Sequence, residues 1–184
     1  MVELRYESII EGNTSDSYMP GPWSWIGGLT SARLNTGKQP ETGIAMIRAV
    51  FRRVGISLEP EDIEDDYFCW RLKRGSAHLL VMFYRDHNHV DGCWVVQVSA
   101  VLVRLPEDCL LQIFQYCLSL NMELVECHFA LHHEADIVLT SKRRAAGLDQ
   151  IAFQLMLNTV AEQADRIDDE LASRFGVKMW GQKQ

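Results

Sequence analysis

The stretch from about Leu148 to Phe175 constrains the fold more than any other. Phe153, Met156, Leu157, Val160, Ala164, Ile167, Leu171 and Phe175 recur at the three-and-four spacing of one helical face, and Gly176 supplies a stop. The spacing predicts a single long helix. In its first half Leu148, Ile151 and Leu155 add a second apolar stripe, so that half is expected to be packed on two sides. Its second half is amphipathic, with Glu162, Asp165, Asp168, Asp169 and Glu170 expected in water.

Upstream, a first helix is signalled from Thr42 by Ile44, Ile47, Val50, Phe51 and Val54, with Arg48, Arg52 and Arg53 toward its end and Gly55 as the stop. A polar, acidic linker follows from Ser57 to Asp66. Three strand-like runs come next. Tyr67 to Lys73 places Phe68, Trp70 and Leu72 on one side, and Gly75 makes the turn. His78 to Tyr84 is apolar on both faces, as suits a central strand, and Cys93 to Leu105 aligns Trp94, Val96, Val98, Ala100 and Leu102. Pro106 is expected to open a second helix with Leu110, Ile113, Phe114, Cys117 and Leu118 inward and Asn121 at its end. Two further strands are expected, Met122 to Leu131 with Val125, Cys127, Phe129 and Leu131 inward, and Glu134 to Ser141. No internal repeat is present. The order α-βββ-α-ββ-α predicts an α+β fold, a five-stranded antiparallel sheet with helices packed on it.

Residues 1–40 have a different texture. Met1 to Ile10 suits a short edge strand, and the glycines and prolines that follow predict an irregular arm. The chain therefore divides into an arm (1–40), an α+β domain (41–176) and a C-terminal tail (177–184).

The 184 residues are 47% hydrophobic and 23% charged, which fits one globular domain with a genuine core. No run of about eighteen apolar residues predicts a membrane span. Glu3, Arg5 and Glu7 interrupt any signal-peptide core, so a cytoplasmic setting is expected. The five cysteines, Cys69, Cys93, Cys109, Cys117 and Cys127, are an odd set without a CxxC pair and read as reduced thiols. A net charge of −7 opposes nucleic-acid binding, and it suits partners with basic surfaces.

Chemistry has few footholds. His87 and His89, with Asp86, Asp91 and Cys93, contain metal-ligand types, but in a solvated hairpin turn. His128, His132 and His133 form a second group, best read as surface residues of a strand and its turn. Cys109 lies in the first turn of a helix, yet Glu107 and Asp108 beside it disfavour a thiolate. Gly27-Gly28 lacks a following lysine-serine pair, and the acids from Glu59 to Asp66 do not match a calcium loop. No catalytic residue, metal site or cofactor is assigned.

Partner binding has better ones. Pro22-Trp23-Ser24-Trp25-Ile26 sets two indoles and an isoleucine in a Gly/Pro-flanked stretch, either as an anchor for a partner or folded back on the sheet. Trp23, Trp25 and Ile26 are the candidate contact residues there, with Phe51 on the first helix and Trp70 on the sheet.

The apolar strand ending at Leu105-Pro106, the helix ending at Leu120-Asn121, and the strand pair around Phe129 and Val138 form a pattern. The polar break from Ala145 to Asp149 and the long last helix with Ala164-Asp165 complete it. This pattern resembles the YbjN family of bacterial sensory transduction regulators, which is similar in fold to the small chaperones of type III secretion. The resemblance implies a dimer without cofactor or catalysis, of the kind that holds extended stretches of client protein. The arm with its tryptophans departs from the family pattern. The function expected is a homodimeric cytoplasmic chaperone or adaptor for another protein. The alternatives are a domain that senses a small ligand and, third, a metal-dependent or thiol enzyme.

Overall fold

A computed structural model of the chain describes residues 7–8, 39–64, 66–87, 92–106, 108–132 and 136–180. The elements run β1 (Glu7–Ser8), α1 (Gln39–Arg53), β2 (Glu61–Glu64), β3 (Tyr67–Arg74), β4 (Ala77–Asp86), β5 (Cys93–Arg104), α2 (Leu110–Leu120), β6 (His128–His132), β7 (Asp136–Arg144) and α3 (Gln150–Phe175). Five long strands line up as β3-β4-β5-β7-β6, and the two short strands β1 and β2 share the outer border of β3. Every described strand pairing is antiparallel. The α+β order expected from the sequence is the order observed.

Alternation along the strands sends Phe68, Trp70, Leu72, Leu79, Val81, Phe83, Val96, Val98 and Leu139 to one face. The helices close that face into one apolar cluster. Phe51 of α1 meets Trp70 edge to face at 5.9 Å and Phe153 of α3 at 6.2 Å between centroids. Gly43 lets α1 approach the sheet, since a Cβ there would collide with the Phe83 ring. At the start of α3 the Asp149 carboxylate accepts from Ala152 N–H at 2.8 Å, an N-cap, and Gly176 ends the helix in the left-handed conformation.

Several expectations are corrected. The acidic linker contains β2, because the border of β3 from Tyr67 to Cys69 offers backbone partners that local composition does not reveal. α2 begins at Leu110 rather than Pro106, and Leu110 and Leu118 are exposed while Ile113 and Cys117 face the core. Met122 to Cys127 is a turn, with Glu126 at φ 67°, so the strand starts only at His128 and Val125 and Leu131 lie exposed. Asp168 is buried rather than solvated, held by the Ser76 hydroxyl at 2.9 Å. Ile151 and Leu155 are exposed, so the first half of α3 is packed on one side only within the chain. Beyond Gly176 the tail returns to the sheet: Val177 is buried, Met179 bridges Val103, and Trp180 N–H donates to Leu102 O at 2.9 Å.

Candidate partner-binding surface

Helix α2 is the surface element that least resembles a surface. Leu110 to Leu120 contains no charged residue, on a chain that is 23% charged. Its inner side is anchored by Ile113 and Cys117, and by Tyr116, whose ring meets Phe175 at 5.6 Å. On the outer side Leu111 and Leu118 are each 66% exposed, and the row continues past the helix end with Met122 at 88% and Val125 at 75%. A spacing of seven residues sets Leu111 and Leu118 on one helical face, and Met122 follows in the turn beyond it. Fully burying one such side chain is worth about 1.5–3 kcal/mol, so a contiguous apolar row left in water marks a contact surface.

The row is held in place at the C-terminal end of α2 and along its side. Asn121, the last residue of the helix turn, accepts a hydrogen bond from Phe129 N–H at 2.7 Å and ties the helix to the edge strand β6. At the side, the Arg174 guanidinium lies 4.6 Å over the Tyr116 ring. Gln112, Gln115, Ser119 and Phe175 complete a shallow, solvent-open hollow there.

The sheet face turned away from the helices carries a polar network. Tyr84 O–H donates to Gln97 Oε1 at 2.9 Å, and Gln97 Nε2 donates to Ser99 Oγ at 3.0 Å and Thr140 Oγ1 at 3.2 Å. Lys142 Nζ reaches Asp86 Oδ2 at 3.1 Å and sits 5.3 Å over the Tyr84 ring. Burial alone would lower the Lys142 pKa, but Tyr84 and Asp86 outweigh it and hold the ammonium above its ordinary value. The network satisfies its own members, as a structural polar cluster does.

The sequence-predicted contact residues fare differently. Trp23, Trp25 and Ile26 lie outside the described residues. Phe51 and Trp70 are 1% exposed and form part of the core, so neither presents a side chain to a partner. They were singled out because aromatic residues are frequent at interfaces, and the same size and apolarity that favour contact also favour burial. The α2 row was missed because Leu110 and Leu118 were assigned to the inner stripe. The available signal was the uncharged run Leu110–Leu120, with more leucines than one helical face can hide.

Among the described residues no three His, Cys, Asp or Glu side chains come together as a metal site; His89, Asp91 and His133 lie outside them. None of the five cysteines forms a disulfide, and burial pushes the Cys117 thiol up to about 11 and raises Cys127 as well. Cys109 stands at the N-terminus of α2 without making a side-chain cap. No described helix is long and apolar enough to cross a membrane.

Against known families, the profile of YbjN, "Putative bacterial sensory transduction regulator", matches residues 44–173. The chain belongs to the YbjN family. Its match spans α1 through nearly all of α3, so the α2 row is part of the YbjN domain and not an appendage. No curated protein matches. Among solved structures, the YbjN chain is similar to one in the "Crystal Structure of the ExsC-ExsE Complex", with 16% identity and a TM-score of 0.51 over 72% of this chain and 94% of that one. A second similar structure is the heterodimeric ExoU-SpcU complex from the type III secretion system of Pseudomonas aeruginosa, with 18% identity and a TM-score of 0.48, covering 67% of this chain and 96% of that one. At such identity the first likeness is one of fold, with the α+β element order expected from the sequence.

Proposed function

We propose that this YbjN-family chain is a non-catalytic protein-binding module of chaperone or adaptor type. It works in the cytoplasm as a homodimer that holds another protein. The observation that carries this reading is the uncharged outer face of α2, where Leu111 and Leu118 stand in water, with Met122 exposed just past the helix end. A second copy presenting the same row satisfies it by two-fold packing, the commonest way for one surface to cover itself. The exposed pair Ile151 and Leu155 on α3 then remains for the client. The similar ExsC-ExsE structure is a complex of two different proteins, which supports a protein as the second partner. Five cysteines without a disulfide fit a reducing compartment.

The test is sedimentation of the purified chain across concentration, followed by affinity capture from native lysate. A dimer that Leu118→Glu converts to monomer, and one specific protein retained by the dimer, support the reading. A strict monomer at micromolar concentration removes the dimer. Stabilisation by a metabolite panel without any captured protein would favour the ligand-sensing alternative.

A further inference from the structure

The two halves of α3 differ in charge. Residues 150–161 include no charged side chain, whereas Glu162, Asp165, Asp169 and Glu170 follow in the second half. Part of the uncharged half lies in water. Ile151 is 73% exposed and Leu155 52%, one turn apart on the side turned away from the core residues Phe153, Met156 and Leu157.

The last turn of α1 stands beside this pair. Arg53 Nη2 donates to Gln150 Oε1 at 2.9 Å, and its Nη1 donates to Gln154 Oε1 at 3.4 Å. The amides that precede Ile151 and Leu155 in sequence thus hold the guanidinium in place without neutralising it. Arg52, on the same turn of α1, is exposed. Axes of packed helices lie about 8–10 Å apart, so one bound segment can touch both the arginines and the aliphatic pair.

Ion pairing sets this corner apart from the rest of the molecule. Arg48, Arg74, Arg85, Arg104, Arg143 and Arg166 each reach a carboxylate. Arg52 and Arg53 form no ion pair among the described residues, on a chain whose net charge is −7. Asp149, the acid next to this stretch, is exposed and caps α3 through Ala152 N–H. Cations in a last turn complement the helix dipole. That accounts for the place of the arginines in α1, but not for two uncovered aliphatic side chains one helix away.

We propose that the outward surface shared by α1 and the first half of α3 docks an amphipathic segment of the partner protein that carries carboxylates beside its apolar side chains. Ile151 and Leu155 take the apolar side chains, and Arg52 and Arg53 take the carboxylates. The local sign is opposite to that of the whole chain. This rests on the reading of the chain as a protein-binding module and specifies the chemistry of what it holds.

Phage display of a random peptide library on the immobilised full chain supplies the probe, and fluorescence anisotropy of an enriched peptide measures its affinity. Enriched peptides are expected to combine Leu, Ile or Phe with Asp or Glu. Binding should weaken about tenfold or more in Ile151→Ser/Leu155→Ser and in Arg52→Glu/Arg53→Glu, with Arg52→Lys/Arg53→Lys retaining most of it. Added salt should weaken binding to the parent and to the lysine variant alike. Circular dichroism checks that each variant folds, and the lysine pair separates lost charge from lost packing. A basic consensus, no enriched peptide, or affinity indifferent to these variants overturns the proposal. Binding lost only in Leu118→Glu also overturns it by moving the site to α2, while the protein-binding reading survives. A change of mass in sedimentation for Ile151→Ser/Leu155→Ser overturns it as well, by assigning the surface to a second copy.

Discussion

Asn121 accepts the backbone N–H of Phe129 at 2.7 Å, so a residue of the α2 helix end closes a hydrogen-bonding position on the outer border of β6. Backbone groups in an antiparallel strand alternate between the two neighbours. With Phe129 turned outward, His128, Ala130 and His132 direct their groups toward β7, their register partner. The bond therefore does two jobs: it fixes the angle at which α2 presents its apolar row, and it blunts an exposed strand edge.

Replacing Asn121 with Ala leaves that N–H open. A lost hydrogen bond of this kind costs about 0.5–1.5 kcal/mol. The urea midpoint is expected to fall accordingly, with Asn121→Asp largely restoring it because an acceptor remains. The Ala variant should also aggregate more readily in a light-scattering time course, since unprotected edges recruit one another.

Leu118→Glu is expected to leave the fold of the single chain intact. The side chain is 66% exposed, and surface changes of this sort stay within about 0.5 kcal/mol. Circular dichroism should match the parent, while analytical ultracentrifugation shows the assembly broken. A parent and variant of identical mass in solution would count against α2 as a contact surface.

Phe51→Ala separates a core residue from a docking residue. Its ring touches both Trp70 and Phe153. Emptying such a site costs about 3–5 kcal/mol. The melting temperature should drop by about 6–20 °C, whether or not a partner is present.

Asp168 supplies a pH signature. Burial lifts its pKa above the ordinary carboxylate value, although hydrogen bonds from Ser76 and the Asp169 N–H pull the other way. The folded chain thus holds this proton more tightly than the unfolded one. The linked contribution favours folding at acid pH and is lost as pH rises from the unfolded value of about 3.9 through the folded one. Asp168→Asn is expected to lower the melting temperature at pH 4 relative to that at pH 7, compared with the parent. An unchanged difference would show that other groups set the acid profile.

Element order, strand direction and the core face were legible because alternation and helical spacing are local signals. Trp94, Val96 and Val98 announce their side of β5 within five residues. The ends of elements were less legible. Glu61–Glu64 is an acidic tetrapeptide that becomes a strand only because β3 offers it partners, a non-local cause. The candidate surface failed for a related reason. Leu111 and Leu118 are chemically indistinguishable from core residues, and what exposes them is the narrow contact of α2 with the body, which only the assembled chain defines.

The sheet has two unlike borders. On the β3 side, backbone positions are taken by Glu7–Ser8 and by Glu61–Glu64, segments rich in acidic residues that oppose another copy of themselves. On the β6 side, Asn121 occupies the outward N–H of Phe129, so that border too is partly closed. Concentrated solutions of the protein are therefore protected from growing into ribbons by edge addition. Both borders of the sheet are met by segments of the chain itself.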